Sequence, residues 1–303
     1  MLQANGFSMK RAQQMTAAPV MTTTTNCPAS YGRYLAVFLL LSGIVLSATS
    51  QVLAQDRKQR FASHDPRSEI TVDHSVWDAL LQSYVVEGAD GLNRVDYARC
   101  KKEAWPQLKA YLDRLQTVDV TALSRPEQFA FWANLYNAKT IDVILEHYPV
   151  QSIRDIDISP GVFSDGPWGH KGLKVQGVEL SLDDIEHGIL RPLWKDPRIH
   201  YAVNCASVGC PNLRKSAFRG ASLEAMLDSA ARGYIGSARG VQAKDGVVTA
   251  SSIFSWYGDD FGANQTEILD HIRKHAGPEL QKNLKGVQAI AMFEYDWNLN
   301  DAK

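Results

Sequence analysis

The sequence predicts a mixed α+β fold, a single domain with a small central sheet packed by several helices. Three observations carry this. Apolar residues recur at helical spacing, as at Val76, Trp77, Leu80, Leu81 and Tyr84. Short apolar runs flank the turn pairs Gln176-Gly177 and Asp245-Gly246, which reads as two hairpins. Composition is ordinary for a globular chain, 45% hydrophobic and 21% charged over 303 residues. With 32 basic and 33 acidic residues the net charge is -1, so no positive field exists to hold nucleic acid.

Residues 1–54 read as an export signal. Lys10, Arg11 and Arg33 precede an uncharged apolar run from Tyr34 to Thr49, and Val52 and Ala54 suit a cut before Gln55. The run is shorter than the roughly 20 residues of a permanent membrane helix, so the membrane enters only if this segment stays uncleaved. The expected location is periplasmic or secreted. Removing the segment also removes Cys27 and leaves Cys100, Cys205 and Cys210, an odd number, so at least one thiol is free or pairs with another chain.

Residues 55–70 are polar and read as a flexible leader to a domain spanning 71–303. Helices are expected over Asp73 to Val86 and Trp105 to Leu115, with a short strand at Asn93 to Tyr97 between them. Ser124 and Glu127 read as a capping box for a long helix that Pro149 closes. On its wheel Lys139, Asp142 and Glu146 form a polar arc, while Asn134 and Asn137 fall on the apolar side, where a buried amide needs partners. Those two either tie the helix to neighbouring loops or donate into a site. Residues 157–172 are a surface loop with Phe163, Trp168 and His170. A hairpin then runs through Leu173 to Val175 and Val178 to Leu180. Ser181 and Asp184 cap a helix expected to stop before Pro192, and Glu186 lies toward its apolar arc, so a partnered, buried carboxylate is expected. Ile199 to Cys205 reads as a strand with His200 and Cys205 on opposite faces, roughly 16 Å apart. Ser222 caps a helix to about Ser237, a hairpin spans Gly240 to Ala250, two helices occupy about Asn264 to Leu284, and a last strand runs from Val287 to Phe293.

No Gly-rich phosphate loop and no HExxH motif occurs, and the spacing of Cys205 and Cys210 has no second pair, so neither cofactor nor metal is indicated. Five ordered phrases are specific together: Phe131-Trp132-Ala133-Asn134-Leu135-Tyr136-Asn137-Ala138; Ile185-Glu186-His187-Gly188-Ile189-Leu190-Arg191; His200 through Asn204-Cys205-Ala206-Ser207-Val208-Gly209-Cys210-Pro211; Ile253-Phe254-Ser255-Trp256-Tyr257 with Asp260-Phe261; and Tyr295-Asp296-Trp297-Asn298. They resemble the domain of unknown function 547 family over roughly residues 74 to 300. The resemblance implies a mixed helix and sheet domain of exported bacterial proteins, related to papain-like or transglutaminase-like thiol enzymes.

Cys205 enters a turn of small residues, where a thiol and backbone N–H groups can meet a carbonyl substrate. The expected activity is a cysteine-dependent hydrolase or transferase of the cell envelope acting on a peptide or other amide or thioester. Cys205 attacks, His187 or His200 accepts the proton, Glu186 supports the histidine, and Asn134 helps hold the oxyanion. Asn137, Cys210 and Asp260 complete the candidate site. The alternative is a binding or scaffold domain in which Cys205 and Cys210 pair. The aromatic cluster Phe254, Trp256, Tyr257 and Phe261 reads as core or as a pocket wall.

Overall fold

The structure, a computed structural model, describes residues 59–161 and 165–302. The expected export segment with its expected cut, Cys27 and Phe163 lie outside these residues. Among the described residues no helix is long and apolar enough to cross a membrane.

The fold is α+β, but its hub is a helix and its sheets are peripheral. Helix Arg125–His147 is buried along almost its whole length, on every side. Of the expected polar arc, Glu146 is exposed and Lys139 half-buried, and only Asp142 departs from it. Asp142 is inside, where Lys139 Nζ donates to it at 2.7 Å and Trp105 Nε1 at 2.8 Å. A polar residue can occupy a hub position when each of its atoms is partnered. Ser124 is the N-cap but makes no side-chain cap bond. Glu127 accepts instead from the backbone N–H groups of Val72 and Gly220, tying two distant segments to the helix start.

Helices Tyr97–Glu103 and Trp105–Gln116 pack on the hub, and helix Ser75–Tyr84 packs on those two. Strands β1 (Val85–Glu87) and β2 (Asn93–Val95) form one antiparallel pair, and β3 (Leu173–Val175) and β4 (Val178–Leu180) another. A third sheet has β5 (Val241–Lys244) antiparallel to β6 (Val247–Ser251), with β7 (Met292–Glu294) parallel to β6. Both hairpin turns fall where expected, with Gln176-Gly177 and Asp245-Gly246 all at positive φ, the geometry of two-residue turns that match strand twist. The last strand is shorter than expected and starts at Met292.

The leader is not free from residue 59 onward. Phe61 is fully buried against Trp132, and Gln128 Nε2 donates to the Ser63 carbonyl. The apolar core forms two clusters. The larger surrounds the hub helix. The smaller joins Tyr201, Tyr234, Phe254, Phe261 and Leu269 from the C-terminal half.

Candidate active site

A cavity of about 470 Å³ opens where the two clusters meet. Cys205, Cys210, Glu186, His187 and His200 all line it, together with an aromatic wall. Sequence reasoning thus selected residues that the fold does bring together, by a different local geometry.

The strand expected at Ile199 to Cys205 does not exist. Pro197–Tyr201 is a 3-10 helix, started by Asp196, whose carboxylate accepts from the Arg198 N–H. The chain then runs irregularly into the cysteine turn, and side chains replace the ladder a strand would have used. Asn137 Nδ2 donates to the Ala202 carbonyl at 2.9 Å, and its Oδ1 accepts from Asn204 N–H at 2.8 Å. Asn204 in turn donates to the Pro211 carbonyl and accepts from Ala206 N–H. Ala206 sits at φ +61, an uncommon conformation for alanine, immediately after Cys205. With no strand, the 16 Å separation of His200 and Cys205 has no basis, and both face one cavity.

The C-terminal segment closes the loop from outside. Val208 N–H donates to the Asn298 carbonyl and Gly209 N–H to that of Asp296, both at 2.8 Å. A Cβ at Gly209 would lie 2.9 Å from the Asp296 backbone nitrogen, so glycine is required there. Asn134 holds the backbone of Phe218 through both amide atoms. Asn134 and Asn137 are therefore committed to architecture, the first of the two roles expected for them, and Asn134 is not directed at an oxyanion.

Cys100, Cys205 and Cys210 are free thiols. Cys205 Sγ lies 2.6 Å from Cys210 Sγ, 3.1 Å from the Tyr295 hydroxyl and 3.2 Å from Ser207 Oγ. The backbone N–H of Cys205 and the Tyr295 hydroxyl donate to Cys210 Sγ at 3.0 and 3.2 Å. Burial works against ionising Cys210, but the donors converging on its sulfur bring it down to about 7. The hydrogen bond to Cys210, followed by burial, pushes the Cys205 thiol well up. The pair therefore loses one proton near neutrality and holds the second.

Glu186 begins the other half of the site. It lies in a π-helical stretch, Asp184–Leu190, which continues through Pro192 as helix Arg191–Trp194 instead of stopping before it. The wider turn lets proline enter at an N1/N2 position, where no donor is lost. Ser181 and Asp184 cap it as expected, exchanging side-chain and backbone bonds. Glu186 is buried, 3.6 Å from His200 Nδ1. His200 Nε2 faces Asp260 Oδ2 at 2.6 Å, and Arg191 Nε donates to the same oxygen at 2.5 Å. Burial disfavours the imidazolium, but bonds to Asp260 and Glu186 outweigh it and raise His200 above its ordinary range. Burial likewise opposes Glu186, and His200, with His187 and Tyr136, holds its carboxyl low. His200 stacks on Tyr257 at 4.3 Å. With carboxylates at both nitrogens it is a held cation, a different task from taking a proton off a thiol.

His187 is partly exposed, with Arg191 Nη1 3.2 Å from Nδ1 and Asp183 Oδ1 3.7 Å from Nε2. Arginine donates only, so Nδ1 accepts and Nε2 carries the hydrogen. Among the described residues no group of three or more His, Cys, Asp or Glu is arranged for a metal. Sequence reasoning passed over Tyr295, Ser207, Tyr136 and Asp183. Tyr295 follows the expected last strand, and nothing local links it to Cys205, 90 residues away.

Fold and site together define a mixed α+β protein with two contacting thiols in the wall of a cavity. Residues 120–235 match the family model described as protein of unknown function, DUF547, so this segment is similar to the members of that family. The match contains the hub helix, the π-helical stretch and the cysteine turn, while Trp256, Asp260 and Tyr295 lie beyond it. The chain matches no curated protein and no solved structure.

Proposed function

We propose that the protein is a cysteine-dependent hydrolase or transferase of the cell envelope, acting on an amide or thioester. The observation that carries this reading is the contact of the two cavity thiols, with donors gathered on Cys210 Sγ. The Cys210 thiolate occupies the place a general base takes beside a nucleophile, so an imidazole is not needed there. Cys205 Sγ attacks the carbonyl carbon and its proton passes to Cys210. As the adduct collapses, the bond to the amine or thiol leaving group breaks and that group takes the proton from Cys210. Water, or an acceptor nucleophile, then attacks the acyl-cysteine and returns a proton to Cys205. The Tyr295 hydroxyl is a donor beside the developing oxyanion. The Glu186, His200 and Asp260 cluster fixes the wall opposite and sets the local field.

The same contact also favours a second reading, a binding domain whose two cysteines pair. Intact-mass spectrometry of reduced protein incubated with an activated thioester separates them. The expected result is an acyl adduct that Cys205→Ser abolishes and Cys210→Ser slows by about 100-fold, the lower end of the usual general-base contribution. If reduced protein forms no adduct, and protein isolated from the cell carries a 205–210 disulfide, the binding reading replaces the enzyme.

A further inference from the structure

We infer that the aromatic wall of this cavity is a subsite for a quaternary or alkylammonium group, so that the substrate carries a cation beside its acyl carbon. As a substrate assignment this rests on the thiol reading above. As a binding site it does not. Trp256 is 48% exposed, unusual for so large an apolar side chain. It stacks on Trp297 at 5.5 Å and meets Tyr295 at 4.8 Å, and Trp297 meets Tyr295 at 4.7 Å and Trp168 at 5.8 Å. Several ring planes at such angles offer faces and edges to one volume, the arrangement that takes up quaternary ammonium groups.

The charges select the same ligand. Among the described residues no lysine or arginine lines the cavity, whereas Asp165, Asp183 and Glu186 do. Arg154 Nε neutralises Asp165 at 2.7 Å, and the His200 cation sits between Glu186 and Asp260. That leaves Asp183, whose Oδ1 lies 3.7 Å from Nε2 of the partly exposed His187, and the charge of the thiol pair. An anionic substrate would find no counter-ion, whereas a cation meets two negative groups. The neighbouring rings already behave this way toward the chain's own cations. Arg154 lies 5.3 Å over Trp297 and Arg191 5.0 Å over Tyr257. Among the described residues no side-chain cation lies over Trp256. The subsite is one residue from the chemistry, because Tyr295 packs on Trp256 and its hydroxyl touches Cys205 Sγ.

Titration calorimetry with choline and its uncharged isostere 3,3-dimethylbutan-1-ol tests this, using the Cys205→Ser, Cys210→Ser protein so that no thiolate contributes. Choline should bind about tenfold more tightly than the isostere, Trp256→Ala should remove that preference, and Trp256→Phe should restore part of it. Asp183→Asn should weaken choline severalfold and leave the isostere unchanged. Equal affinity for the two ligands, or choline affinity untouched in Trp256→Ala and Asp183→Asn alike, overturns the subsite. Choline preference without acyl-adduct formation in the wild type keeps the subsite and removes only the thiol enzyme. Should Trp256→Ala fail to fold, Trp256→Phe and Asp183→Asn give the answer.

Discussion

Cys100 and Cys210 carry the same functional group in opposite states. Burial pushes Cys100 up to about 12, whereas Cys210, also buried, is carried to about 7 by the hydrogen bonds aimed at its sulfur. Iodoacetamide should therefore alkylate the 205/210 pair with a midpoint near pH 7 and leave Cys100 untouched, as peptide mapping by mass spectrometry would report. Labelling of all three thiols at a common midpoint near 8.5 would show that the converging donors do nothing. His200 gives a second pH signature. Its folded-state value lies above the unfolded one, so its contribution is complete below about pH 6.5 and is lost as pH rises through the raised value. Glu186 and Asp260 are held low, so theirs is present above about pH 4.5 and lost only as pH falls further. Thermal midpoints should decline above neutrality in the wild type, and His200→Gln should flatten that alkaline slope. Glu186→Ala should cost about 1–3 kcal/mol, because it leaves His200 Nδ1 and Tyr136 without a buried partner. An unchanged denaturant midpoint would mean that Glu186 is solvated.

At the scale of elements, the cysteine turn owes its shape to two neighbours distant in sequence. The hub helix holds its entry through Asn137, and residues 296–298 hold its exit through backbone bonds. Asn137→Ala should lower stability by about 1–3 kcal/mol, since the Ala202 carbonyl and Asn204 N–H are then buried without partners. Hydrogen exchange would show faster exchange at Asn204, and unaltered exchange there would place the control of the turn elsewhere. The π-helical stretch works similarly. Its wider turn carries Glu186 inward and His187 to the cavity rim, while the chain passes Pro192 without breaking.

For the molecule as a whole, buried imidazoles set the acid limit. Burial holds His74 at about 3 and His271 at about 4, each neutral and bonded to a tyrosine hydroxyl. The unfolded chain takes up these protons near pH 6.5, so the stabilisation is complete above that value and is lost as pH falls toward 4. A falling thermal midpoint below pH 6, flattened in His271→Gln, is the expected outcome of a calorimetric pH series. Export makes a separate prediction from the N-terminal residues alone. Protein recovered from the exporting cell should begin near Gln55 by mass spectrometry, and an intact 34–54 segment would mean an anchored chain.

Periodicity and turn chemistry are local properties, so the α+β class, both hairpins, the long helix and the inward Glu186 could be read from the residues in order. So could the candidates Cys205, Glu186 and His200, because a thiol in a small-residue turn and a carboxylate on an apolar arc are conspicuous without neighbours. Residues 199–205 failed for the complementary reason. Alternating polarity there describes a strand equally well, and only the side chain of Asn137 and the backbone of residues 296–298, each dozens of positions away, satisfy the chain in another shape. Asp142 in the polar arc of the hub helix was misplaced likewise, since it is inside only because Trp105 and Lys139 meet it there. The contact of Cys205 and Cys210 with Tyr295, and the carboxylates at both nitrogens of His200, depend on distances between segments far apart in the chain. Those distances are set by packing the two clusters against each other, which no window of sequence contains.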